Sequence, residues 1–321
     1  MSSEQKIPYF MLEEWQSEPL EKKIERSLTR IKQFHDKLDG KTYVSYSGGK
    51  DSTVLLDLVR TLYPDTPAVF FDTGVEFPEI RDMIKKTDNV DTVHPEKTFK
   101  HIITEYGYPI ISKQIALQIE TVRRNPDLPI AKYYLTGYKK NGEYNPRGMI
   151  PACWRFLLDA PFKISPKCCN HLKKYPVKRY MKKSGQKPFI GNMVEDSRQR
   201  RGAFLRNGCN NFTEGNENST PMGPWTEKDV WAYIYTRNLD YCKLYDMGWD
   251  RTGCMFCLFG IHMEGKPNRI QRLYHYNPKL YDYCINKLGV GEILDYIGIN
   301  YIPNHKLDEF SIEKQTKRID E

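Results

Sequence analysis

The sequence predicts an α/β protein with a parallel sheet and flanking helices, and three observations predict it. Short apolar strands occur at about 42–46, in PAVFFDTG, in VDTVHP and at about 187–193. Helical patterns separate these strands, among them PEIRDMIKKT with a proline at its start. A Ser-Gly-Gly corner leads from the first strand into a helix at about 52–62. Strands that alternate with helices form parallel sheets through right-handed crossovers.

A further helix is predicted ahead of the first strand. Residues 19–38 place apolar side chains at helical spacing, at Leu20, Ile24, Leu28, Ile31 and Leu38. This spacing is typical of an amphipathic helix that packs on the domain C-terminal to it. We therefore predict an N-terminal helical segment over 1–40, the α/β domain over 41–240, and a C-terminal region with a helical tail over 241–321.

The composition describes an ordinary globular chain. Its 321 residues suggest about two domains, and 39% of them are hydrophobic. Apolar runs stay far below the ~20 residues that cross a bilayer, and the N-terminus has no basic-then-apolar signal pattern. We therefore expect a cytoplasmic protein with no membrane partner. Eight cysteines in such a chain favour metal or redox chemistry over a disulfide framework.

Positive charge is concentrated in one stretch of the chain. Between Lys163 and Arg206, 13 Lys and Arg residues stand against Glu195 and Asp196, a net charge of +11 in 44 residues. Such a patch favours an anionic ligand, and nucleotide phosphates, sulfate and nucleic acid are the candidates. A solvated basic face is the alternative, and charge alone does not separate a small nucleotide from a polynucleotide.

The Ser-Gly-Gly corner has the chemistry of a phosphate-binding loop. Its glycines allow positive φ and close backbone approach, so that several amides converge on an anion at the positive end of the next helix. Lysine adds a full charge, and the serines add hydroxyl donors. The GxxxxGK[ST] spacing of a Walker A loop is missing. The predicted ligands are Ser47, Gly48, Gly49, Lys50, Asp51 and Ser52, with Lys50 and Asp51 also catalytic.

The second predicted strand also ends in polar residues. Asp72, Thr73 and Gly74 follow it, about twenty residues after the loop. Ligands of parallel sheets sit at the carboxyl ends of strands, so both features predict one shared site. An acidic residue there is placed to contact a ribose or to help to hold Mg²⁺. A common Asp-Thr-Gly turn is the alternative.

Four cysteines have spacing that suits a metal centre. Cys168 and Cys169 are adjacent, and Cys254 and Cys257 form a CxxC pair after 84 intervening residues. Adjacent cysteines rarely bind one tetrahedral zinc well because their side chains diverge, whereas a cubane accepts ligands from several directions. We therefore favour a [4Fe–4S] cluster over structural zinc, with two unrelated buried pairs as the third possibility. The remaining cysteines are predicted to be core or loop thiols: Cys153, Cys209, Cys242 and Cys284.

These motifs resemble two related groups of proteins. SGGKDS is similar to the signature of the PP-loop ATP pyrophosphatases, whose loop grips the pyrophosphate end of ATP. The CC…CxxC pattern, FDTGVEFPE, and the segment from PMGPWTEKDVW to GCMFC resemble the iron–sulfur adenylylsulfate reductases of the phosphoadenosine-phosphosulfate (PAPS) reductase family, over about 42–260. The resemblance implies a Rossmann-like (adenine nucleotide alpha hydrolase-like) fold, with a PP-loop nucleotide-binding domain and a cluster beside the nucleotide.

The resemblance also implies a set of basic ligands. EDSRQRR is similar to the family's arginine-bearing segment, which meets the phosphates or sulfate of the ligand, so that Arg198, Arg200 and Arg201 are candidates and Arg200 is assigned a catalytic role. Lys113 and Arg251 are further basic candidates. Solvent-exposed arginines are the alternative.

The sequence departs from the reductases in two places. Their phosphate loop is usually modified and lacks the Lys-Asp of SGGKDS, and their nucleophilic cysteine lies in a Glu-Cys-Gly-Leu-His segment that does not follow Cys257 here. We therefore expect an ATP- and Mg²⁺-using enzyme that adenylates an acceptor for sulfur transfer, possible forms being tRNA or DNA thiolation. Its expected protein partner is a sulfur donor such as a cysteine desulfurase or a thioredoxin-like reductant.

Two alternatives stay open. One is a sulfonucleotide reductase that makes sulfite from APS or PAPS, with Cys284, Cys153 or a thiol in trans as the nucleophile. The other is a nucleotide- and cluster-binding regulatory or assembly protein without turnover. The intact loop argues against this last alternative.

Overall fold

A computed structural model describes residues 6–303, which divide into two compact units. The first unit combines residues up to Asp72 with Glu76–His94 and Pro176–Thr252. The second combines Thr73–Val75 with Pro95–Tyr175 and the chain from Gly253 onward. Each unit is thus assembled from separate stretches of chain, and the predicted contiguous domain limits stay a prediction. The last part of the predicted helical tail lies outside the described residues.

Helices and short strands alternate along the described chain. The helices are α1 (Tyr9–Ser17), α2 (Leu20–Lys37), α3 (Lys50–Leu62), α4 (Pro78–Lys86), α5 (Phe99–Glu105), α6 (Lys113–Arg124), α7 (Pro129–Thr136), α8 (Tyr175–Ser184), α9 (Arg198–Asn207), α10 (Glu227–Arg237), α11 (Arg269–Tyr276), α12 (Pro278–Asp282) and α13 (Val290–Tyr296). The strands are β1 (Thr42–Ser45), β2 (Ala68–Phe71), β3 (Val90–Val93), β4 (Ile110–Ile111), β5 (Lys187–Ile190), β6 (Asn210–Asn211), β7 (Asn218–Ser219) and β8 (Leu258–Phe259).

The first unit is built on a six-stranded sheet in the order β3-β2-β1-β5-β7-β6. Neighbouring strands are parallel except β6, which runs antiparallel to β7. Ser45 of β1 pairs with Val69 on one side and with Ile190 on the other. Strand order therefore reverses between β1 and β5, which is where ligands of open α/β sheets bind. The predicted Rossmann-like α/β fold with a parallel sheet and flanking helices is confirmed.

Burial explains why the central strand forms. Tyr43 and Val44 of β1 are inaccessible to solvent, and Phe189 of β5 pairs with Val44 in the same sheet. Consecutive residues of β1 are buried, rather than every second one, because helices cover both faces of a parallel sheet. Helix α3 supplies part of this cover through Val54 and Leu58.

Helix α2 is confirmed, but its most deeply buried residues differ from the predicted set. They are Lys23, Ser27, Ile31 and Phe34, whereas the other predicted apolar residues, Leu20, Ile24, Leu28 and Leu38, are half-buried. Polar side chains are tolerated on this face because they are paired with the rest of the first unit. Lys23 Nζ lies 2.7 Å from Asp229 Oδ2, and Trp225 Nε1 donates to Ser27 Oγ at 2.9 Å.

The second unit holds a two-stranded parallel sheet, β4 and β8, and mostly short helices. A π-helical turn over Asn170–Lys174 directly follows Cys169, and another over Tyr283–Lys287 contains Cys284. Such turns are rare and occur frequently at functional sites. Within residues 6–303, the helices are all too short or too polar to cross a bilayer.

The pair between Lys23 and Asp229 yields a prediction about stability. The side chain of Lys23 is only 3% exposed, so Asp229→Ala would leave an unpaired buried ammonium group. We expect the free energy of unfolding, measured by urea denaturation, to fall by about 3–5 kcal/mol. The double variant Lys23→Met/Asp229→Ala should recover part of this loss. An Asp229→Ala protein as stable as the parent would contradict the assigned pair.

Candidate functional site

The predicted phosphate loop lies at the carboxyl end of β1, and helix α3 begins at Lys50. Gly48 has a φ of +71°, which a residue with a side chain rarely adopts. A Cβ atom on Gly48 would also lie 3.2 Å from Cγ2 of Ile80. The glycine corner therefore lets the chain turn sharply while it stays against helix α4. The first amides of α3 then point out of the corner, where they are able to bind an anion.

The two serines of the motif hold the loop closed. Ser52 Oγ accepts a hydrogen bond from the Ser47 amide at 3.2 Å and lies 3.0 Å from Ser47 Oγ. Ser52 also donates to the carbonyl oxygen of Gly49 at 2.9 Å. The hydroxyl of Ser52 is thus part of the loop's own structure, whereas Ser47 is exposed.

Lys50 is buried although it carries a charge. Its ammonium group lies 3.0 Å from Asp51 Oδ1 and 3.5 Å from Glu227 Oε1. Burial lowers the pKa of Lys50, but Asp51, Tyr245 and Glu227 together outweigh burial and raise that pKa above its ordinary value. The lysine is therefore charged at neutral pH, as a phosphate ligand requires.

For Asp51, burial outweighs the effect of its charged partner on the pKa. Burial raises the pKa of Asp51, and the nearby carboxylates of Asp196 and Glu227 raise it further, against the lowering effect of Lys50. Asp51 and Glu227 thus lie within 3.5 Å of the Lys50 ammonium group, whereas Asp196 is paired with Arg200.

Tyr245 and Thr252 cover the glycine corner. The Lys50 amide donates to Tyr245 Oη at 3.0 Å, and a Cβ atom on Gly49 would lie 2.6 Å from Thr252 Oγ1. Gly49 has an ordinary φ of −84°, so its lack of a side chain serves close approach rather than backbone freedom. The hydroxyl of Tyr245 thus occupies an amide that an anion would need.

The loop after β5 completes the site at the strand-order reversal. Gly191 follows β5 directly, and a Cβ atom on it would lie 3.1 Å from the carbonyl oxygen of Asp51. A side chain at this position would require a shift of the loop or of the first turn of α3, so the glycine favours their close packing. The phosphate loop and the β5 loop are thus neighbours at the position where open α/β sheets bind ligands.

The predicted arginines lie in the first turn of α9, which Ser197 caps. Arg200 forms an ion pair with Asp196, and it also lines a cavity of about 120 Å³ beside Asn192 and Asn207. Arg198 is exposed, and the Nε atom of Arg201 is buried without a hydrogen-bond partner among the described residues. Arg200 is therefore linked to the loop through Asp196, which also influences Asp51.

The predicted Asp72, Thr73 and Gly74 set is divided between the units. Asp72 belongs to the first unit, where it accepts two hydrogen bonds from Arg81, both of 3.1 Å. Thr73 and Gly74 belong to the second unit, and Thr73 Oγ1 lies 3.9 Å from Cys254 Sγ. The carboxylate is thus held by an arginine that the sequence reasoning did not select.

All four predicted ligand cysteines lie in the second unit. The sulfur atoms of Cys168 and Cys169 are 3.9 Å apart. A hydrogen bond from Cys168, and then Lys113, Lys173 and Lys174, lower the pKa of Cys169 to about 6. Cys169 and burial raise the pKa of Cys168, as do the charges of the CxxC pair, Cys254 and Cys257.

The donor set fits an iron–sulfur cluster in its chemistry, because it offers four thiols in electrostatic reach of one another beside several cations. Over residues 6–303, however, no three His, Cys, Asp or Glu side chains are gathered closely enough to hold a single metal ion. The backbone near the CxxC pair is fixed in two places: the Met255 amide donates to Val75 O at 2.9 Å, and Arg269 donates to Cys257 O at 3.1 Å.

The other cysteines differ in exposure. Cys209, Cys242 and Cys284 are buried, and Cys153 is exposed. Burial raises the pKa of Cys284 to about 12, so this thiol stays protonated at neutral pH. Arg251 is exposed near the end of the first unit, whereas Lys113 begins α6 in the second unit.

Five contacting residues were not predicted: Arg81, Glu227, Tyr245 and Thr252 in the first unit, and Arg269 in the second. Glu227 and Tyr245 lie in the segment that resembles the reductases, but no local pattern there marks a role at the loop. Arg81 follows Asp72 by nine residues, a spacing that carries no signal without the direction of α4.

Taken together, the sheet order and the glycine corner with its buried lysine define a PP-loop protein of the α/β class. The family model described as the phosphoadenosine phosphosulfate reductase domain matches residues 41–115 and 152–258, more than half of the chain. The chain therefore belongs to the phosphoadenosine phosphosulfate reductase family.

Relatives of two kinds are similar to the chain. Two uncharacterized proteins of Methanocaldococcus jannaschii are 26% and 28% identical over 84% and 88% of this chain. The chain spans about half the length of these proteins, 53% and 47%. An adenosine 5′-phosphosulfate reductase of Geobacillus kaustophilus is 28% identical over 66% of this chain and 70% of its own length.

Solved structures with some similarity include two yeast enzymes. A phosphoadenylyl-sulfate reductase from Candida auris, in its phosphate complex, is 16% identical with a TM-score of 0.40, covering 67% of this chain and 81% of its own. A Candida glabrata FMN adenylyltransferase in complex with ATP is 14% identical with a TM-score of 0.40, covering 77% of this chain and 68% of its own. The fold assignment rests on the strand order described above.

The hydroxyl of Tyr245 yields a prediction about anion binding. Tyr245→Phe frees the Lys50 amide, so we expect inorganic pyrophosphate to bind about two- to tenfold more tightly, the value of one hydrogen bond. Isothermal titration calorimetry measures this change. Tyr233→Phe is the matched control, because Tyr233 donates to Asp57 instead. Weaker binding by Tyr245→Phe would mean that the hydroxyl itself contacts the anion.

Proposed function

We propose that the chain is an ATP-binding enzyme that adenylates an acceptor, releases pyrophosphate and prepares the acceptor for sulfur transfer. The observation that carries this proposal is the buried Lys50 at the start of α3, beside Asp51. A lysine and an aspartate in this loop distinguish the chain from the modified loop expected of the reductases. We expect the enzyme to act in the cytoplasm.

The loop residues suit this chemistry. The acceptor attacks the α-phosphorus of ATP, a bond to the acceptor oxygen forms, and the bond to the pyrophosphate oxygen breaks. Lys50 and the first amides of α3 would stabilise the negative charge that develops on pyrophosphate. Mg²⁺ would enter with the phosphates, since it is usually held by phosphates and one or two carboxylates. Asp51 is the nearest carboxylate to Lys50.

Displacement of AMP by a sulfur nucleophile would complete the reaction. The acceptor is proposed to be a nucleic acid, either tRNA or DNA, because positive charge is concentrated between Lys163 and Arg206. A cysteine desulfurase would supply the sulfur, or a thioredoxin-like protein would supply electrons.

The activity test follows AMP and pyrophosphate during anaerobic incubation with ATP and Mg²⁺, with and without tRNA and duplex DNA. We expect Lys50→Met to lower the rate by about 100-fold or more, because it removes a preorganised charge at the leaving group. Lys41→Met, an exposed lysine just before β1, is the matched control and should keep full activity. If no acceptor supports AMP formation, the proposal is wrong.

We also propose that Cys168, Cys169, Cys254 and Cys257 hold a [4Fe–4S] cluster, and the four thiols with Lys113 and Lys173 nearby support this. When bound, the cluster would supply iron sites or electrons for sulfur chemistry. The chain's own contribution is cationic: Lys113, Lys173 and Lys174 would stabilise thiolates before the metal binds.

Anaerobic purification should therefore give a brown protein with broad absorbance near ~400 nm, as thiolate-ligated iron–sulfur clusters show. Cys257→Ser should bleach it and lower the iron content, whereas Cys153→Ser should leave both unchanged. A colourless protein with one zinc per chain would rule the cluster out.

A second candidate function is sulfonucleotide reduction, favoured by the similarity to the Geobacillus adenosine 5′-phosphosulfate reductase. A thiolate would attack the sulfate sulfur, AMP would leave, and an external thiol would reduce the resulting S-sulfocysteine to release sulfite. Cys153 suits this role better than Cys284, because it is exposed whereas burial keeps Cys284 protonated.

Sulfite release from adenylylsulfate with thioredoxin and dithiothreitol tests this candidate. We expect Cys153→Ser to abolish release and Cys284→Ser to retain it. Release that persists in both variants would assign the attack to a thiol in trans, and no release at all would exclude this reaction.

A further inference from the structure

One surface of the second unit carries aromatic side chains that the proposed chemistry does not use. Residues 116–151 lie outside both segments that match the family model. This stretch contains α7 and then a hairpin in which Tyr138 pairs with Tyr144 across an antiparallel bridge. We refer to residues 137–149 as the tyrosine hairpin.

The tyrosine hairpin holds two rings out in solvent. Tyr138 is 57% exposed and Tyr144 is 55% exposed, and their ring centroids are 5.1 Å apart. The backbone fixes this arrangement, since the Lys139 amide donates to Glu143 O at 2.9 Å and the Asn145 amide to Gly137 O at 2.8 Å. The pair is thus held in position, although the rings themselves gain little burial.

Gly137 shows how closely the arrangement is packed at its base. Its φ is +81°, and a Cβ atom there would lie 2.7 Å from Cε2 of Tyr144 and 2.8 Å from Sδ of Met149. A residue with a side chain would push Tyr144 away from Tyr138. The exposed pair therefore depends on a glycine at this position.

More aromatic surface lies next to the hairpin in the same unit. Phe156 is 40% exposed, and its ring lies 6.1 Å from that of Trp154 and 5.6 Å from that of Tyr296. Arg155 links this group to the last turn of α7, directly before the hairpin, because its guanidinium donates to the carbonyl oxygen of Leu135 at 3.1 Å.

The surface is positively charged. Residues 137–155 contain four cations, Lys139, Lys140, Arg147 and Arg155, against the single carboxylate of Glu143, a net charge of +3. Glu143 is already paired with Lys139 at 2.9 Å. Exposed rings interleaved with cations are the combination with which proteins bind single-stranded nucleic acids, by stacking bases and neutralising phosphates.

We infer that the tyrosine hairpin and the adjoining Trp154–Phe156 surface bind an unpaired strand of nucleic acid. The inference rests on the proposed function, because it supplies the acceptor's binding surface. Bases stack on Tyr138 and Tyr144, and Lys140 and Arg147 neutralise phosphates. RNA and DNA strands share this chemistry, so the experiment compares both.

The test measures fluorescence anisotropy of a labelled single strand of about 15 nucleotides, as RNA and as DNA, with the full chain and without ATP. We expect Tyr138→Ala/Tyr144→Ala to weaken binding at least about tenfold, and Tyr138→Phe/Tyr144→Phe to keep it, because the rings are retained. Tyr235→Ala is the matched control, since Tyr235 is 66% exposed in the first unit. Far-UV circular dichroism confirms that each variant is folded.

Charge is tested separately. Lys140→Gln/Arg147→Gln should lower the slope of log affinity against log salt concentration by about 1.4, which is about 0.7 per lost phosphate contact on a single strand. Tighter binding of RNA than of DNA, or the reverse, identifies which strand is the ligand, and either result supports the inference.

Three results would overturn the inference: unchanged affinity in the alanine variant, equal loss in the phenylalanine and alanine variants, or binding of a polyglutamate peptide in place of both strands. The outcome is separable from that of the proposed function. Strand binding without AMP formation would refute the function alone, and AMP formation without strand binding would refute the surface alone.

Discussion

The first unit depends on one electrostatic constraint, which is a buried ammonium group at the positive end of a helix. Lys50 is 6% exposed, and the dipole of α3 adds positive charge at the same point. The carboxylates of Asp51 and Glu227 compensate the charge of the ammonium group, and the hydroxyl of Tyr245 accepts a hydrogen bond from the first amide of the helix. A phosphate group would bind the same ammonium group and amide, so these side chains compete with the ligand.

Short-range pattern is enough to predict β1, the glycine corner and α3, because each is decided by neighbours in the chain. The closed form of the corner is not predictable in this way, because its partners are distant. Tyr245 lies 195 residues after Lys50, and no periodicity indicates which tyrosine hydroxyl reaches a given amide. The burial of Lys23 and Ser27 in α2 is not predicted for the same reason: their partners, Asp229 and Trp225, are distant in the sequence.

The four predicted ligand cysteines show what spacing in a sequence predicts and what it does not. Spacing predicts which thiols belong together, and all four lie in one unit. Spacing does not predict their whole charge environment: Lys173 and Lys174 follow Cys169 closely in the sequence, but Lys113 is brought near it only by the fold. Likewise, FDTG is recognisable as a polar strand end, but its aspartate is held by Arg81 because α4 returns over the strand.

The π-helical turn after Cys169 has a consequence for how this sequence can diverge. Such a turn contains one residue more than the α-helical turn, and each residue of a helix advances the chain by about 100°. The wider turn takes up one residue between Cys169 and helix α8, and it carries Lys173 and Lys174, which lower the pKa of Cys169. Loss of one residue from Asn170–Lys174 would restore α-geometry and change the positions of these two lysines relative to Cys169, so the length of this stretch is tied to the charge beside the thiol.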